Sequence, residues 1–259
     1  MDIEWAIVAS ALVVGVLVGL TGVGAGAVMT PILVGFFGVS LPVAIATDLL
    51  FATVTKIVGS VSHQRKGSIQ WAVAKKMWWG SIPGTVIGVT LLLVLVGGSQ
   101  IDWLVWPLAL IVFLTAITLA RRALAPDGNG GGHGRPHPAP LRPWVPMAGG
   151  FGIGTAVSLT SVGAGALGMA LLVRLSPPGT PPRELVGTDL VHGIPIALIA
   201  GGAYALSGLV SWPLLAILLL GSIPGVIAGS LLSGRAPARL LNAILAVMLT
   251  AAVALLVFK

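Results

Sequence analysis

Cysteine is absent from this chain of 259 residues, which removes disulfides and thiolate chemistry without identifying a compartment. Charge is almost as scarce. Asp, Glu, Lys and Arg make up 8% of the residues, against roughly 25% in an ordinary soluble domain. With 56% of the residues hydrophobic, so few charges could not cover an apolar core, and a water-soluble globular protein is excluded. The sequence has no phosphate-binding GxxxxGK[ST] loop, HExxH pair or nucleophile elbow, so nothing in it supports nucleotide hydrolysis or an enzyme embedded in the membrane. The net charge of +7 comes without an aromatic-interleaved basic module, so nucleic acid is not an expected partner. No cofactor is called for.

What the chain has instead is long apolar runs and a duplication. The stretches 77–96, 103–120, 209–232 and 240–258 are nearly uncharged and close to the roughly 20 residues that cross a bilayer as a helix. Asp2 and Glu4 stand where a cleavable signal would carry positive charge, so the first apolar segment is expected to be retained. LTGVGAGA from Leu20 returns as LTSVGAGA from Leu159, TDL at Thr47 returns at Thr188, and GSIPG at Gly80 returns at Gly221. The first match is offset by 139 residues and the other two by 141, an offset that Gly67 with Gly208 and Trp71 with Trp212 share. Two copies of one unit in an apolar chain point to an internally symmetric membrane transporter whose substrate site lies where the copies meet.

The copies are expected at 1–125 and 144–259, joined by a cytoplasmic linker at 126–143 whose run PDGNGGGHGRPHPAPLRP has little that could pack. His133 and His137 lie in that linker without the further ligands a zinc site needs, so they read as solvated and no metal is expected. In the first copy an apolar segment at 3–20 is followed by a glycine break, a short piece at 27–37, and helices from about Pro42, Ala74 and Trp103. The second repeats this from about Trp144, with the break at 161–165, a short piece to Val173, and helices from about Pro182, Ser211 and Ala238. Pro42 and Pro182 suit helix starts, while Pro83 and Pro224 fall within apolar runs where they could kink a helix.

Charge placement predicts the topology. With three full crossings per half and an outside N-terminus, Arg65, Lys66, Lys75, Lys76, Arg121, Arg122, Arg135, Arg142, Arg174, Arg183, Arg235 and Arg239 all fall on the cytoplasmic side. Asp2, Glu4 and Asp102 fall outside. Four crossings per half would put one basic cluster on the wrong side. An odd number also inverts the second copy, so the expected fold is an all-α polytopic membrane protein, multi-pass in the cytoplasmic or inner membrane, with two inverted repeats and glycine-broken or re-entrant segments.

Gly22, Gly24 and Gly26, with Gly163 and Gly165 in the other copy, remove side chains where the chain can turn inside the membrane. Irregular backbone at that depth must be covered by protein or line a cavity. A break also exposes the N–H groups that open the next half-helix, and their partial positive charge suits an anion. Thr21, Thr160 and Ser161 can add hydroxyl donors. Close helix packing is the other use of such glycines; two matched copies favour ligand lining.

On these residues the sequence resembles the TauE/SafE family of sulfite exporters, also called the 4-toluene sulfonate uptake permease family. The resemblance rests on GVLVGLTGVGAGAVMTPIL, the ATDL and GTDL segments, HQRKGSIQW and the twin GSIPG segments, in matching order in both copies. It implies transport of sulfite, sulfonates or related small organic anions without nucleotide hydrolysis. The chain departs from many relatives in having Ala25 and Ala27 in the first glycine region, Ser161 opposite Gly22, and aspartates in the TDL segments.

Four ionisable residues lie in apolar runs. Lys56 either attracts an anion or participates in coupling, or it snorkels toward the cytoplasmic side near Arg65 and Lys66. Asp48 is eight residues earlier, about 12 Å along a helix axis, so the two are not expected to pair directly. Asp48 and Asp189 hold equivalent positions and are candidates for proton coupling, or for structural hydrogen bonds to backbone at the breaks. Thr47 and Thr188 are preferred for substrate contact, since a fixed carboxylate would repel an anion. His192 lies on the face of Asp189 and is either a proton relay or a packed, hydrogen-bonded histidine; its counterpart is Phe51.

Trp71, Trp78, Trp79, Trp103, Trp106, Trp144 and Trp212 near span ends read as an aromatic belt against membrane lipid. The expected function is a secondary carrier exporting a small anion by alternating access. Proton-coupled anion uptake and an anion channel are the alternatives, and a structural scaffold would not need matched breaks.

Overall fold

The structure, a computed structural model, describes residues 2–21, 26–65, 69–97, 105–124, 144–162, 164–177, 180–232 and 238–257. Within them lie ten helices: α1 (Asp2–Thr21), α2 (Gly26–Gly35), α3 (Leu41–Arg65), α4 (Trp71–Gly97), α5 (Val105–Leu124), α6 (Val145–Thr160), α7 (Ala164–Leu175), α8 (Pro182–Leu206), α9 (Trp212–Leu232) and α10 (Ala238–Val257). The linker at 126–143, with His133 and His137, lies outside the described residues. An all-helical chain is what lipid demands, because a helix satisfies its own backbone donors and acceptors.

Among the described residues, four helices are long and apolar enough to cross a bilayer: Leu41–Val61, Trp71–Gly97, Arg183–Leu206 and Trp212–Gly229. Six crossings were expected from the charges. Shorter apolar helical stretches of 10–17 residues are Glu4–Leu20, Leu108–Arg121 and Val145–Thr160. Leu91, Val94, Leu110, Leu220, Leu231 and Val247 stand exposed on the outer surface, which suits hydrocarbon and not water. The described residues thus form a ten-helix polytopic membrane fold.

The expected helix starts are close to those observed. Pro182 is the first residue of α8, where its missing N–H leaves no bond unmade, and Pro83 and Pro224 lie inside α4 and α9. The second break is also where it was expected. α6 stops at Thr160, Ser161 turns the chain with φ 58° and ψ −3° while donating its N–H to the Val157 carbonyl, and α7 begins at Ala164. The Ser158 carbonyl, in the last turn of α6 where helical partners run out, accepts instead from Tyr204 Oη of α8 at 2.8 Å.

The halves interlock. α1 packs chiefly on α9 and α6 on α4, while α3 meets α8 and α5 meets α10, so each main contact joins one copy to the other. Glycine makes the closest of these possible. A methyl group on Gly80 or Gly84 would strike the carbonyl oxygen of Met147 or Phe151 in α6, and one on Gly221, Gly225 or Gly229 would strike that of Val8, Leu12 or Val16 in α1. Both GSIPG segments are therefore packing surfaces of the small-residue kind. α3 and α8 run antiparallel: Gly201 packs on Leu50, Gly193 on Lys56, and Gly59 on Leu190.

The two Thr-Asp-Leu segments tie the interlock together. Thr188 Oγ1 accepts the Gln70 N–H just before α4 at 2.9 Å, and Thr47 Oγ1 accepts the Ser211 N–H just before α9 at 3.1 Å. Each threonine thus satisfies an unpaired donor where a helix of the opposite copy begins. We expect Thr188→Val to lower the melting temperature of the purified protein, by about 1 kcal/mol in stability or slightly more, and Thr188→Ser to restore it. An unchanged melt for Thr188→Val would show that this N–H has found another partner.

Candidate functional site

The polar interior is built on α3 and α8. Asp48 is fully buried in α3, and its Oδ2 accepts Thr30 Oγ1 of α2 at 2.6 Å and Ser161 Oγ of the α6–α7 break at 2.7 Å. Gly26, the first residue of α2, fits against the same group: a methyl there would strike the Ser161 carbonyl and lie 2.8 Å from Ser161 Oγ and 3.1 Å from Asp48 Oδ2. The beginning of α2 in one copy and the break of the other therefore meet at one carboxylate. Its second oxygen, Oδ1, is buried without a hydrogen-bond partner among the described residues.

The equivalent carboxylate is compensated differently. Asp189 of α8, 1% exposed, faces Lys56 of α3, 2% exposed, with Nζ to Oδ2 at 4.0 Å. Lys56 does not snorkel to the surface; it is buried beside an acid of the other copy. Neither Lys56 Nζ nor either oxygen of Asp189 has a hydrogen-bond partner among the described residues. Gly168 of α7 and Gly193 of α8 make room for the pair, since a methyl on either would collide with Asp189 Oδ1 or fall 2.6 Å from Lys56 Nζ respectively.

His192 is packed and bonded. Its Nε2 lies 3.2 Å from Ser81 Oγ of α4, its carbonyl accepts Trp78 Nε1 at 3.2 Å, and its Nδ1 has no partner among the described residues. No hydrogen bond joins it to Asp189. Trp78 therefore serves the α4–α8 contact, with Trp71 edge-on to it at 6.4 Å between ring centroids, instead of standing in the belt with the exposed Trp79, Trp106, Trp144 and Trp212. Trp103 lies outside the described residues.

The structure sorts the other expected site residues. Gly22, Gly24, Gly163 and the side chain of Thr21 lie outside the described residues, while Gly26 and Gly165 are buried at the beginnings of α2 and α7. Thr160 Oγ1 donates to Ala156 O at 2.7 Å and accepts Val162 N–H at 3.2 Å, closing the break locally. Thr47 and Thr188, preferred for substrate contact, have their oxygens engaged by the helix-start N–H groups described above. Thr30 and Gly168 stand out in no motif shared by the two copies. Their signal was asymmetry between copies, since at the 139-residue offset Thr30 stands opposite Met169 and Gly168 opposite Met29.

Basic residues of both copies converge at one end. Ser176 Oγ, just past α7, donates to Gln70 Oε1 at 2.9 Å, and Gln70 Nε2 donates to Glu184 Oε2 in the first turn of α8 at 3.3 Å. The exposed Lys75, Lys76, Arg174 and Arg183 lie on the elements that this network joins.

The comparisons fit this architecture. The family described as Sulfite exporter TauE/SafE matches residues 7–256. The chain belongs to that family. As a TauE/SafE protein it is a multi-pass membrane transporter. It is 34% identical over 242 residues to Probable membrane transporter protein YjnA of Bacillus subtilis (strain 168), covering 93% of this chain and 94% of that one. Probable membrane transporter protein YdhB of the same organism is 26% identical over 247 residues, with the same coverage of 93% and 94%. YunE, likewise a probable membrane transporter protein, is 36% identical over 84 residues, 31% of each chain. No solved structure matches.

Ser161 offers a test of the break in this TauE/SafE chain. It is the one non-glycine residue with positive φ among the described residues, a conformation that costs an L-residue about 1–2 kcal/mol. Ser161→Gly should keep the fold while losing the bond to Asp48; Ser161→Val, β-branched at positive φ, should fall below it in melting temperature. Equal stability of the two variants would mean that the break is not held in this conformation.

Proposed function

We propose that this transporter moves sulfite, a sulfonate or a related small organic anion outward across the cytoplasmic membrane by alternating access. The observation that carries the reading is Lys56, the one buried Lys or Arg side chain among the described residues, placed at the contact between α3 and α8 with no hydrogen-bond partner on its ammonium. A small oxyanion offers that ammonium acceptor oxygens. The N–H groups at the beginnings of α2 and α7, with their neighbours in sequence Thr21, Gly22, Gly24, Gly26, Gly163 and Gly165, are the further donors of the proposal, while the Ser161 hydroxyl is engaged by Asp48. Thr47, Thr160 and Thr188 are assigned to the scaffold.

Alternating access is supported by the relation of the copies. Equivalent helices α3 and α8 run antiparallel, and α1 on α9 exchanges with α6 on α4 when the copies are swapped. Gln70 on Thr188 likewise exchanges with Ser211 on Thr47. The basic elements gather at one end, whereas the equivalent stretches 35–42 and 207–213 carry no charge. Inverted repeats with a cytoplasmic basic face account for all of this. An inside-negative potential then contributes roughly 2.3 kcal/mol per charge per 100 mV toward expelling a monovalent anion.

A second reading, coupled uptake, draws on the unpartnered oxygens of Asp48 and Asp189 and the nearby His192, which could carry protons inward with the anion. Proteoliposomes separate the readings. We expect saturable sulfite or sulfonate flux down an imposed potential, with counterflow of the same anion. Conductance without counterflow would mean a channel. A proton dependence abolished in Asp48→Asn or Asp189→Asn would favour uptake, and cation transport without anion flux would reject the anion reading.

A further inference from the structure

We propose that Asp48, Thr30 and Ser161 form a binding site for a free monovalent cation of the sodium type. The argument begins with charge. Asp48 is fully buried, and the one buried Lys or Arg side chain among the described residues, Lys56, lies about 12 Å further along α3 and faces Asp189. A buried carboxylate left without a counter-charge is strongly disfavoured.

A proton would neutralise it, but the surrounding groups are set for an anion. The Thr30 and Ser161 hydroxyl oxygens lie 2.6 and 2.7 Å from Oδ2, and donating to it together they solvate a carboxylate. With both hydroxyls donating to Oδ2, a proton on Oδ1 would find no acceptor among the described residues. A cation at Oδ1 needs no acceptor. The Thr30 and Ser161 oxygens keep lone pairs for it after donating to Oδ2, and the Ser161 carbonyl lies against Gly26 beside them. Oxygen ligands from carboxylate, hydroxyl and unwound backbone are what hard cations take. One carboxylate balances one positive charge, which selects a monovalent ion.

The duplication supplies an independent second observation. At the equivalent carboxylate, Asp189, Met169 replaces Thr30 and Gly22 stands opposite Ser161, so the hydroxyls are gone from the sequence; there the cation is the tethered ammonium of Lys56 at 4.0 Å. Lys56 has Ala197 opposite it in the second copy, so α8 has no matching lysine for Asp48. One aspartate has a built-in cation and no hydroxyls, the other has hydroxyls and no built-in cation. The site also joins the copies, with Asp48 and Thr30 from one and Ser161 from the other, so an ion there would clamp them together.

The test needs no anion substrate, so its failure is separate from failure of the anion reading. Purified full-length protein is melted in choline chloride with NaCl, KCl or LiCl titrated in at constant ionic strength. Saturable stabilisation by Na+ at millimolar concentrations or below is expected, with little from K+. Thr30→Val should weaken it by about tenfold or more, and Asp48→Asn should abolish it. Identical melts of the folded wild-type protein in all four salts would overturn the proposal, as would Na+ protection that survives in both Thr30→Val and Asp48→Asn. If Asp48→Asn fails to fold, Thr30→Val and the wild-type ion series decide the matter alone.

Discussion

Lys56→Met is expected to abolish anion flux and to destabilise the protein by about 3–5 kcal/mol, the typical loss when one partner of a buried ion pair is removed. The cause is Asp189, which would be left 1% exposed, with no hydrogen-bond partner among the described residues and no positive charge within reach. Asp189→Leu should be similarly damaging, because the ammonium of Lys56 is then stranded. The informative protein is the double variant. With Lys56→Met and Asp189→Leu combined, no charge is left unpaired, and stability should return to within about 1–2 kcal/mol of wild type. Flux should not return, since the proposed anion partner is gone. The coupling energy from denaturation of the four proteins in micelles measures the pair, and anion flux in proteoliposomes measures the role. Near-zero coupling would mean that the two groups are solvated separately, and full flux in the double variant would remove Lys56 from the transport site.

Much of this architecture was legible in the chain because its signals are local or repeated. The apolar runs marked helices, Pro182 marked the beginning of α8, and the paired LTGVGAGA and LTSVGAGA segments marked the break that Ser161 makes in the structure. The duplication alone pairs Asp48 with Asp189. What stayed hidden was which residues face one another across the copies. α3 and α8 are apolar or small on nearly every side, so helical periodicity cannot separate a face toward the interior from one toward lipid. The partner of Lys56 was therefore unreadable, lying 133 residues away on the other copy. Thr47 and Thr188 read as substrate ligands because a hydroxyl, unlike the neighbouring carboxylate, does not repel an anion; in the structure each oxygen accepts an N–H before a helix of the opposite copy. Thr30 is not legible from what the copies share, because it marks a difference between them, with Met169 in its place in the second copy.

The GSIPG segments were read as family markers, and their physical role predicts the second large effect. Gly84 lies in the α4–α6 contact, where a Cβ would already strike the Phe151 carbonyl and come within 3.0 Å of Thr155 Oγ1, whose hydroxyl donates to the Gly84 carbonyl at 3.0 Å. Backbone on both sides leaves no flexible side chain to move aside, so Gly84→Leu must push the helices apart. Overpacking a tight core costs about 1–3 kcal/mol, and here the neighbouring contacts at Gly80 and Gly88 on α4 and at Gly150 and Gly154 on α6 would open with it. We therefore expect little or no monodisperse protein from Gly84→Leu, and the same from Gly225→Leu, which holds the equivalent place against Leu12 and Val16 of α1. Gly152→Leu is the control. It lies on α6 between two of these contact glycines, but nothing comes within 4 Å of a Cβ there, and glycine is the poorer helix former by about 1 kcal/mol, so the variant should be as stable as wild type or slightly more. Size-exclusion profiles and melts of the three proteins decide the point. If Gly84→Leu behaves like Gly152→Leu, α4 and α6 do not approach this closely, and the interlock between the copies has another basis.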